Sequence, residues 1–207
     1  MSAPRPSRPA FSSLLACVAA AALLAACSSS SSVTNYDLTA PRQVRAGSSA
    51  VGQIAVAEPN AVQPLEADRI VVKDASGAVS SVPGGQWADR LPRLVQSRLI
   101  QTFENSSGLR AVSRPGGGMT PDFQLASDLR AFEIDAATGQ AVVEMSVKLV
   151  NDKSGRIATT RIFTARVPVG AIDAANASQA LDRALSIVLL DIVRYVGTGR
   201  AANAPST

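Results

Sequence analysis

Cysteine and the carboxylates hold most of the chemistry open to this 207-residue chain, because it contains no histidine. One thiol stands at a particular place: Cys27 follows Leu24-Ala25-Ala26 and precedes the run Ser28 to Ser32. A thiol behind two small residues, at the end of a short apolar run, stands where an export signal would end. Cys17 lies inside that apolar run and would leave with it. The chain beyond Cys27 then has no thiol for a disulfide, a zinc site or a nucleophile. The missing histidine removes the commonest general base and the commonest metal ligand. What remains is a group of acids: Asp122, Asp128, Glu133, Asp135 and Glu144. Such residues can supply the paired carboxylates of sugar hydrolysis. More often they are a solvated strand face and its turns, and we read them so. No catalytic residue, cofactor or metal ion is expected.

Those side chains need elements to position them, and the first is a leader. Residues 1–10 are polar and carry Arg5 and Arg8; residues 11–26 are apolar or small. The apolar run is shorter than the roughly 20 residues needed to span a bilayer, so residues 1–26 are predicted to be a signal peptide. Leu24-Ala25-Ala26-Cys27 resembles the bacterial lipobox, where a lipid is placed on the cysteine and the signal peptidase cuts just before it. An ordinary signal peptide with a stray cysteine is the alternative. The serine run favours the lipobox, because a folded domain hung on a lipid needs a spacer. Residues 27–35 are therefore read as lipidated Cys27 and a serine-rich tether, with the membrane reached through the acyl chains (palmitate among them). Ser28 stands where aspartate commonly retains a bacterial lipoprotein at the inner membrane. The expected address is the periplasmic face of the outer membrane.

Removing residues 1–26 leaves 181 of 207, enough for one domain with a real core. Taking Arg5 and Arg8 from the 20 basic residues leaves 18 against 16 acidic ones, so the net charge falls from +4 to +2. With so little excess charge, no long basic run and few aromatic residues, no nucleic acid is expected as a partner. Gly197-Thr198-Gly199-Arg200-Ala201-Ala202 imitates a dinucleotide-binding fingerprint but follows a helix rather than a strand. Gly116-Gly117-Gly118 lacks a following helix and is read as a loop, not a phosphate cradle.

Short strands are predicted at 33–38, 52–57, 69–73 and 78–82, the last two as a hairpin, with Pro83-Gly84-Gly85 breaking the pattern. Trp87, Leu91, Leu94, Val95, Leu99 and Phe103 recur at helical spacing. Trp87 then heads a packing stripe, Asp89 caps the helix, Pro92 falls in its first turn, and Ser106-Ser107-Gly108 stops it. A short strand follows at 109–112. Three long strands make an antiparallel meander: 123–134, with a phase slip between Leu129 and Phe132 that signals a bulge, then 143–149 and 156–167. The final helix, capped by Ser178 and ended by Gly197, carries Leu181, Leu185, Val188, Leu189, Ile192 and Val196. Ile187, Leu190 and Val193 widen its apolar face. Deep burial is the favoured reading of that width, and a subunit contact in a homo-oligomer is the other. The expected fold class is α+β: a mixed, mostly antiparallel sheet with two amphipathic helices packed on it. The domain spans residues 36–197, and residues 198–207 are expected to be a disordered tail.

Several segments, taken in order, resemble the ABC-type transport auxiliary lipoproteins. They are Tyr36-Asp37-Leu38, Gln53-Ile54-Ala55-Val56-Ala57-Glu58-Pro59, Asp68-Arg69-Ile70-Val71-Val72, Gln86-Trp87-Ala88-Asp89-Arg90-Leu91-Pro92 and Asp122-Phe123-Gln124-Leu125. The resemblance covers most of residues 36–196. It implies a non-enzymatic accessory of an ABC system with an MCE-type lipid-binding subunit, moving lipid between the inner and outer membranes. The family has no catalytic residues to carry over. Two other readings stay open: a lipid-anchored envelope hydrolase, and an envelope-biogenesis lipoprotein that binds glycan or an outer-membrane protein.

Overall fold

Alternation of apolar and polar residues builds the centre of the molecule. The computed structural model describes residues 32–42, 52–106 and 111–197. The expected signal peptide with Ala26, Cys27, most of the expected tether, Gly108, Leu109 and residues 198–207 lie outside the described residues. Strands β6 (Phe123–Asp135), β7 (Gln140–Asn151) and β8 (Ile157–Pro168) form the expected antiparallel meander. On one face Leu125, Leu129, Phe132, Ile134, Val143, Met145, Val147, Leu149, Phe163 and Ala165 are buried. The parity slip is real: the β6–β7 register shifts between Leu129 and Ala131, so Arg130 is the extra residue of a bulge.

The remaining strands are β1 (Thr34–Tyr36), β2 (Gln53–Val56), β3 (Arg69–Lys73), β4 (Val79–Trp87) and β5 (Ala111–Ser113). They complete an eight-stranded mixed sheet. With β7 along one edge of β6, the other edge is shared. β2 runs parallel to it at Phe123–Leu125, and β3 runs parallel to it at Glu133–Asp135. Asn60 bridges the gap, donating its N–H to Ser127 and accepting from Leu129, both at 2.8 Å. Beyond β2 lies β5; beyond β3 lie β4 and then β1. The long ladders are antiparallel and the short pairings of β1, β2 and β5 are parallel.

Helices α1 (Leu91–Glu104) and α2 (Ala174–Gly197) pack on the apolar face. The α1 stripe buries Leu91, Leu94, Val95, Leu99 and Phe103. In α2 the predicted leucine and valine stripe is joined by Ala177, Ala180 and Ala184, all fully buried. Val193 is buried and Leu190 packs against the core, as deep burial requires, while Ile187 stays 44% exposed.

Four local expectations are corrected. Pro83-Gly84-Gly85 does not end a strand; β4 runs through it to Trp87. The β3–β4 register is irregular between Arg69 and Val71, and β1 pairs only from Gly85 onward, so no ladder needs the N–H that Pro83 lacks. Gly84 takes the positive φ of 75° that the irregularity demands. Trp87 accordingly closes β4 rather than heading α1. It is buried all the same, edge-on to Phe132 at 5.6 Å between ring centroids. Asp89 is not the α1 cap: Arg90 holds that position without a side-chain capping bond, its guanidinium pairing instead with Glu58 and Glu66, and Pro92 sits in the first turn. The Leu91 N–H is instead satisfied by the Ala67 carbonyl at 3.0 Å. Ser178 lies inside α2, donating to the Ala175 carbonyl at 3.0 Å. The cap is Asp173, whose carboxylate accepts the Asn176 N–H at 2.9 Å and its side-chain amide at 2.6 Å.

Candidate docking surface

The face of the meander turned away from the helices carries the charged residues that the strand alternation predicts, and the sheet holds them in opposite-sign pairs. The Lys148 ammonium donates to Asp128 at 2.9 Å, Arg130 pairs with Glu144 at 3.0 Å, and Lys73 reaches Glu133 at 3.7 Å. The cross-strand register dictates these partners: Lys148 stands opposite Ala126, diagonal to Asp128, and the Arg130 bulge lies beside the Ala131–Glu144 pair. Thr164 on β8 adds a hydrogen bond to Glu144 at 3.1 Å.

All five candidate carboxylates are engaged. Asp128 and Glu133 serve the cations above, and Glu144 serves Arg130 and Thr164. Asp122 accepts the Gln53 N–H at 2.9 Å and so ties β2 to the head of β6. Asp135 closes the β6–β7 turn by accepting the N–H groups of Ala137 at 3.0 Å and Thr138 at 3.3 Å. The Lys148 bond, with help from Asn60, holds the Asp128 carboxyl below the usual carboxylate range. The Thr138 side chain, aided by backbone donors, does the same for Asp135. A general acid at neutral pH needs the opposite shift. Among the described residues, no three Cys, His, Asp or Glu side chains gather as metal ligands. None of the described helices is long and apolar enough to cross a membrane. The Gly116-Gly117-Gly118 segment turns into β6, not into a helix.

A second cluster was missed in the sequence. Segment 37–39 follows β1 and is clamped to both helices. The Arg98 guanidinium of α1 bonds both oxygens of Asp37 at 2.6 Å, while its other terminal nitrogen donates to Gln101 at 3.0 Å. The backbone N–H and the hydroxyl of Thr39 both donate to Asp182 of α2 at 2.7 Å. An open groove of about 600 Å³ lies beside this clamp, lined by Leu38, Thr39, Arg42, Arg98, Gln101 and Glu104 among others. The only signal in the sequence was the family-like segment Tyr36-Asp37-Leu38. Arg98 and Asp182 lie far away in sequence on polar helix faces, where a charge is ordinary.

The Cys27 and Ala26 assignments lie outside the described residues. What the structure defines is an α+β module with a charge-paired sheet face and an N-terminal segment at 37–39 fastened to its helices. The family model for the ABC-type transport auxiliary lipoprotein component matches residues 36–193, and the chain belongs to that family. Its members are auxiliary lipoprotein components of ABC-type transport systems. The chain is 32% identical over 166 residues to the uncharacterized protein bll6063 of Bradyrhizobium diazoefficiens. That match takes in 77% of this chain but only 44% of the relative, so the chain spans less than half of that relative's length. The crystal structure of protein XCC0632 from Xanthomonas campestris superposes with a TM-score of 0.76 at 25% identity, covering 84% of this chain and all 100% of that one. The hypothetical protein CT253 of Chlamydia trachomatis shares the fold at 13% identity, with a TM-score of 0.51 over 74% of this chain and 100% of its own.

Proposed function

We propose that this protein is a non-enzymatic periplasmic lipoprotein that docks an ABC/MCE-type lipid-transport assembly at the periplasmic face of the outer membrane. The observation that carries the reading is the family match, which runs through the whole folded domain from β1 into α2. The engaged carboxylates Asp128 and Asp135, both held ionised, support a binding role over hydrolysis. The lipid on Cys27 supplies the anchor. Each buried methylene contributes about 0.8 kcal/mol, and more than one acyl chain is needed for stable attachment. Ser28 releases the protein to the outer membrane, and the serine tether holds the domain close to it. The charge-paired sheet face and the exposed part of α2 are the contact surfaces offered to an MCE-type subunit reaching across from the inner membrane.

Two variants and the native full chain test this in cells. Cys27→Ala should lose all label from a fatty-acid probe. Ser28→Asp should keep the fold, fractionate with the inner membrane and sensitise the envelope to detergent. The native chain should co-purify with an MCE-type protein after crosslinking. If Ser28→Asp stays in the outer membrane, the sorting argument fails. If it relocates and the envelope stays intact, outer-membrane docking is not the function.

A further inference from the structure

Strand β8 is the edge of the sheet on the meander side. Among the described residues it pairs only with β7, and α2 packs against it. A long edge strand is a template for another strand. The side chains along this one are of a single sign. From residue 153 to residue 172 the sequence has Lys153, Arg156, Arg161 and Arg166 and not one acid. Elsewhere on the sheet the cations Lys73 of β3, Arg130 of β6 and Lys148 of β7 each have a carboxylate partner. Among the described residues none of the four forms an ion pair, neither Arg161 and Arg166 on β8 nor Lys153 and Arg156 in the turn that leads into it; Arg166 feels the more distant field of Asp135. The positive excess of the sheet is therefore concentrated at its open edge.

Arg161 is also held in place. Its guanidinium lies 5.3 Å from the Phe163 ring centroid and 4.8 Å from that of Tyr195. The Tyr195 hydroxyl is itself hydrogen-bonded to Thr159 at 2.8 Å. Stacking on two rings orders the guanidinium while leaving its N–H fork available to an acceptor. The register puts Ile157 opposite Val150 and Ile162 opposite Ser146, both on the face away from the helices. These isoleucines are 53% and 49% exposed. An edge built only to repel other strands would show charge alone; this one shows charge beside apolar side chains.

We propose that the free edge of β8 accepts an extended acidic segment of a partner protein as an added strand. Main-chain hydrogen bonds would hold that strand, Arg161 and Arg166 would bind its carboxylates on the two faces of the sheet, and Ile157 and Ile162 would cover its apolar side chains. A second copy of this chain is a poor occupant, because β8 against β8 sets one arginine row against another. The inference rests on the sheet edge alone and holds whichever assembly the lipoprotein serves.

The test uses the full lipidated chain in detergent micelles and three labelled peptides matched to the length of β8. One alternates glutamate and valine, one alternates lysine and valine, and the third is the glutamate peptide N-methylated at every second amide. Fluorescence anisotropy should show binding of the glutamate peptide, weakened by salt, and little binding of the other two. Arg161→Glu with Arg166→Glu should weaken the glutamate peptide at least about tenfold and admit the lysine peptide. Arg166→Glu alone, which leaves the Arg161 stack untouched, should show a smaller shift in the same direction. Equal affinity for both charged peptides, no loss on N-methylation, or no binding at all would overturn the proposal. So would self-association of the native chain that disappears in the double variant, since a second copy would then hold the edge.

Discussion

Gly85 on β4 is the point where the sheet, the first strand and the start of α2 come closest together, and a single methyl group tests that packing. A Cβ at residue 85 would stand 2.4 Å from the Ala174 Cβ and 2.9 Å from the Tyr36 Cε2. Carbon atoms in contact prefer about 3.5–4.0 Å, so the first turn of α2 or the β1 strand has to move. Neither moves freely. Ala174 follows the Asp173 cap, and Tyr36 is paired to Trp87. Overpacking of this kind costs about 1–3 kcal/mol. The lower entropy of the unfolded alanine chain returns about 0.4–1 kcal/mol. Gly85→Ala should therefore lose about 1–2 kcal/mol net, a fall in Tm of roughly 2–8 °C for a domain of this size. Differential scanning calorimetry of the leaderless domain, with urea titration alongside, measures it. Ala174→Gly removes the main clash at a helix-propensity cost of about 1 kcal/mol. The double variant should then be more stable than the sum of the singles allows. An unchanged Tm in Gly85→Ala, or strict additivity with Ala174→Gly, would refute the close approach of α2 to β4.

Leu99→Asp and Leu189→Asp each put an unpaired charge at a fully buried position of α1 or α2. Each should cost several kcal/mol and abolish the cooperative melting transition seen by circular dichroism. Asp173→Ala removes the α2 cap and should cost about 1 kcal/mol, whereas Ser178→Ala should be near neutral; the reverse order in urea titrations would restore Ser178 as the cap. The Asp128 carboxyl is held below its usual pKa of 3.8 by Lys148. Its contribution is therefore complete above the unfolded value and disappears as the pH falls through the folded one. Because the pair is well exposed, Asp128→Asn should cost less than about 1 kcal/mol at neutral pH, and the difference should vanish in strong acid.

The local features of the fold were legible because side-chain period reports them directly. The parity slip at Arg130 marked the bulge, the Val143-to-Leu149 alternation marked β7, and the leucine stripe marked α2. What escaped the sequence depends on partners far along the chain. Pro83-Gly84-Gly85 has the composition of a break, and only the pairing with β1 and β3 shows that the strand continues through it. The stretch Ala174 to Ala177 has no large apolar residue to mark the start of α2 ahead of Ser178, yet Ala177 lies fully buried in the core. In the docking surface the ionic pairs of the meander followed from strand parity. The clamp of Asp37 and Thr39 by Arg98 and Asp182 joins four charged or polar residues from three segments, and no local pattern brings them together. The excess charge of β8 was in plain view as sequence, but its meaning required knowing that β8 is an edge.

The shared edge of β6 also fixes an order of assembly. Ile54 of β2 pairs with Phe123 and Val71 of β3 pairs with Glu133, so both early strands wait for one late strand. As the chain emerges from its N-terminus, the β3–β4 hairpin can close locally, but β2 and β5 have no central strand to join until residues 123–135 are out. The β6–β7–β8 meander, whose contacts are short-range, can form quickly and then serve as the template on which the earlier strands are laid. The topology thus lets the domain be completed from its C-terminal half backward.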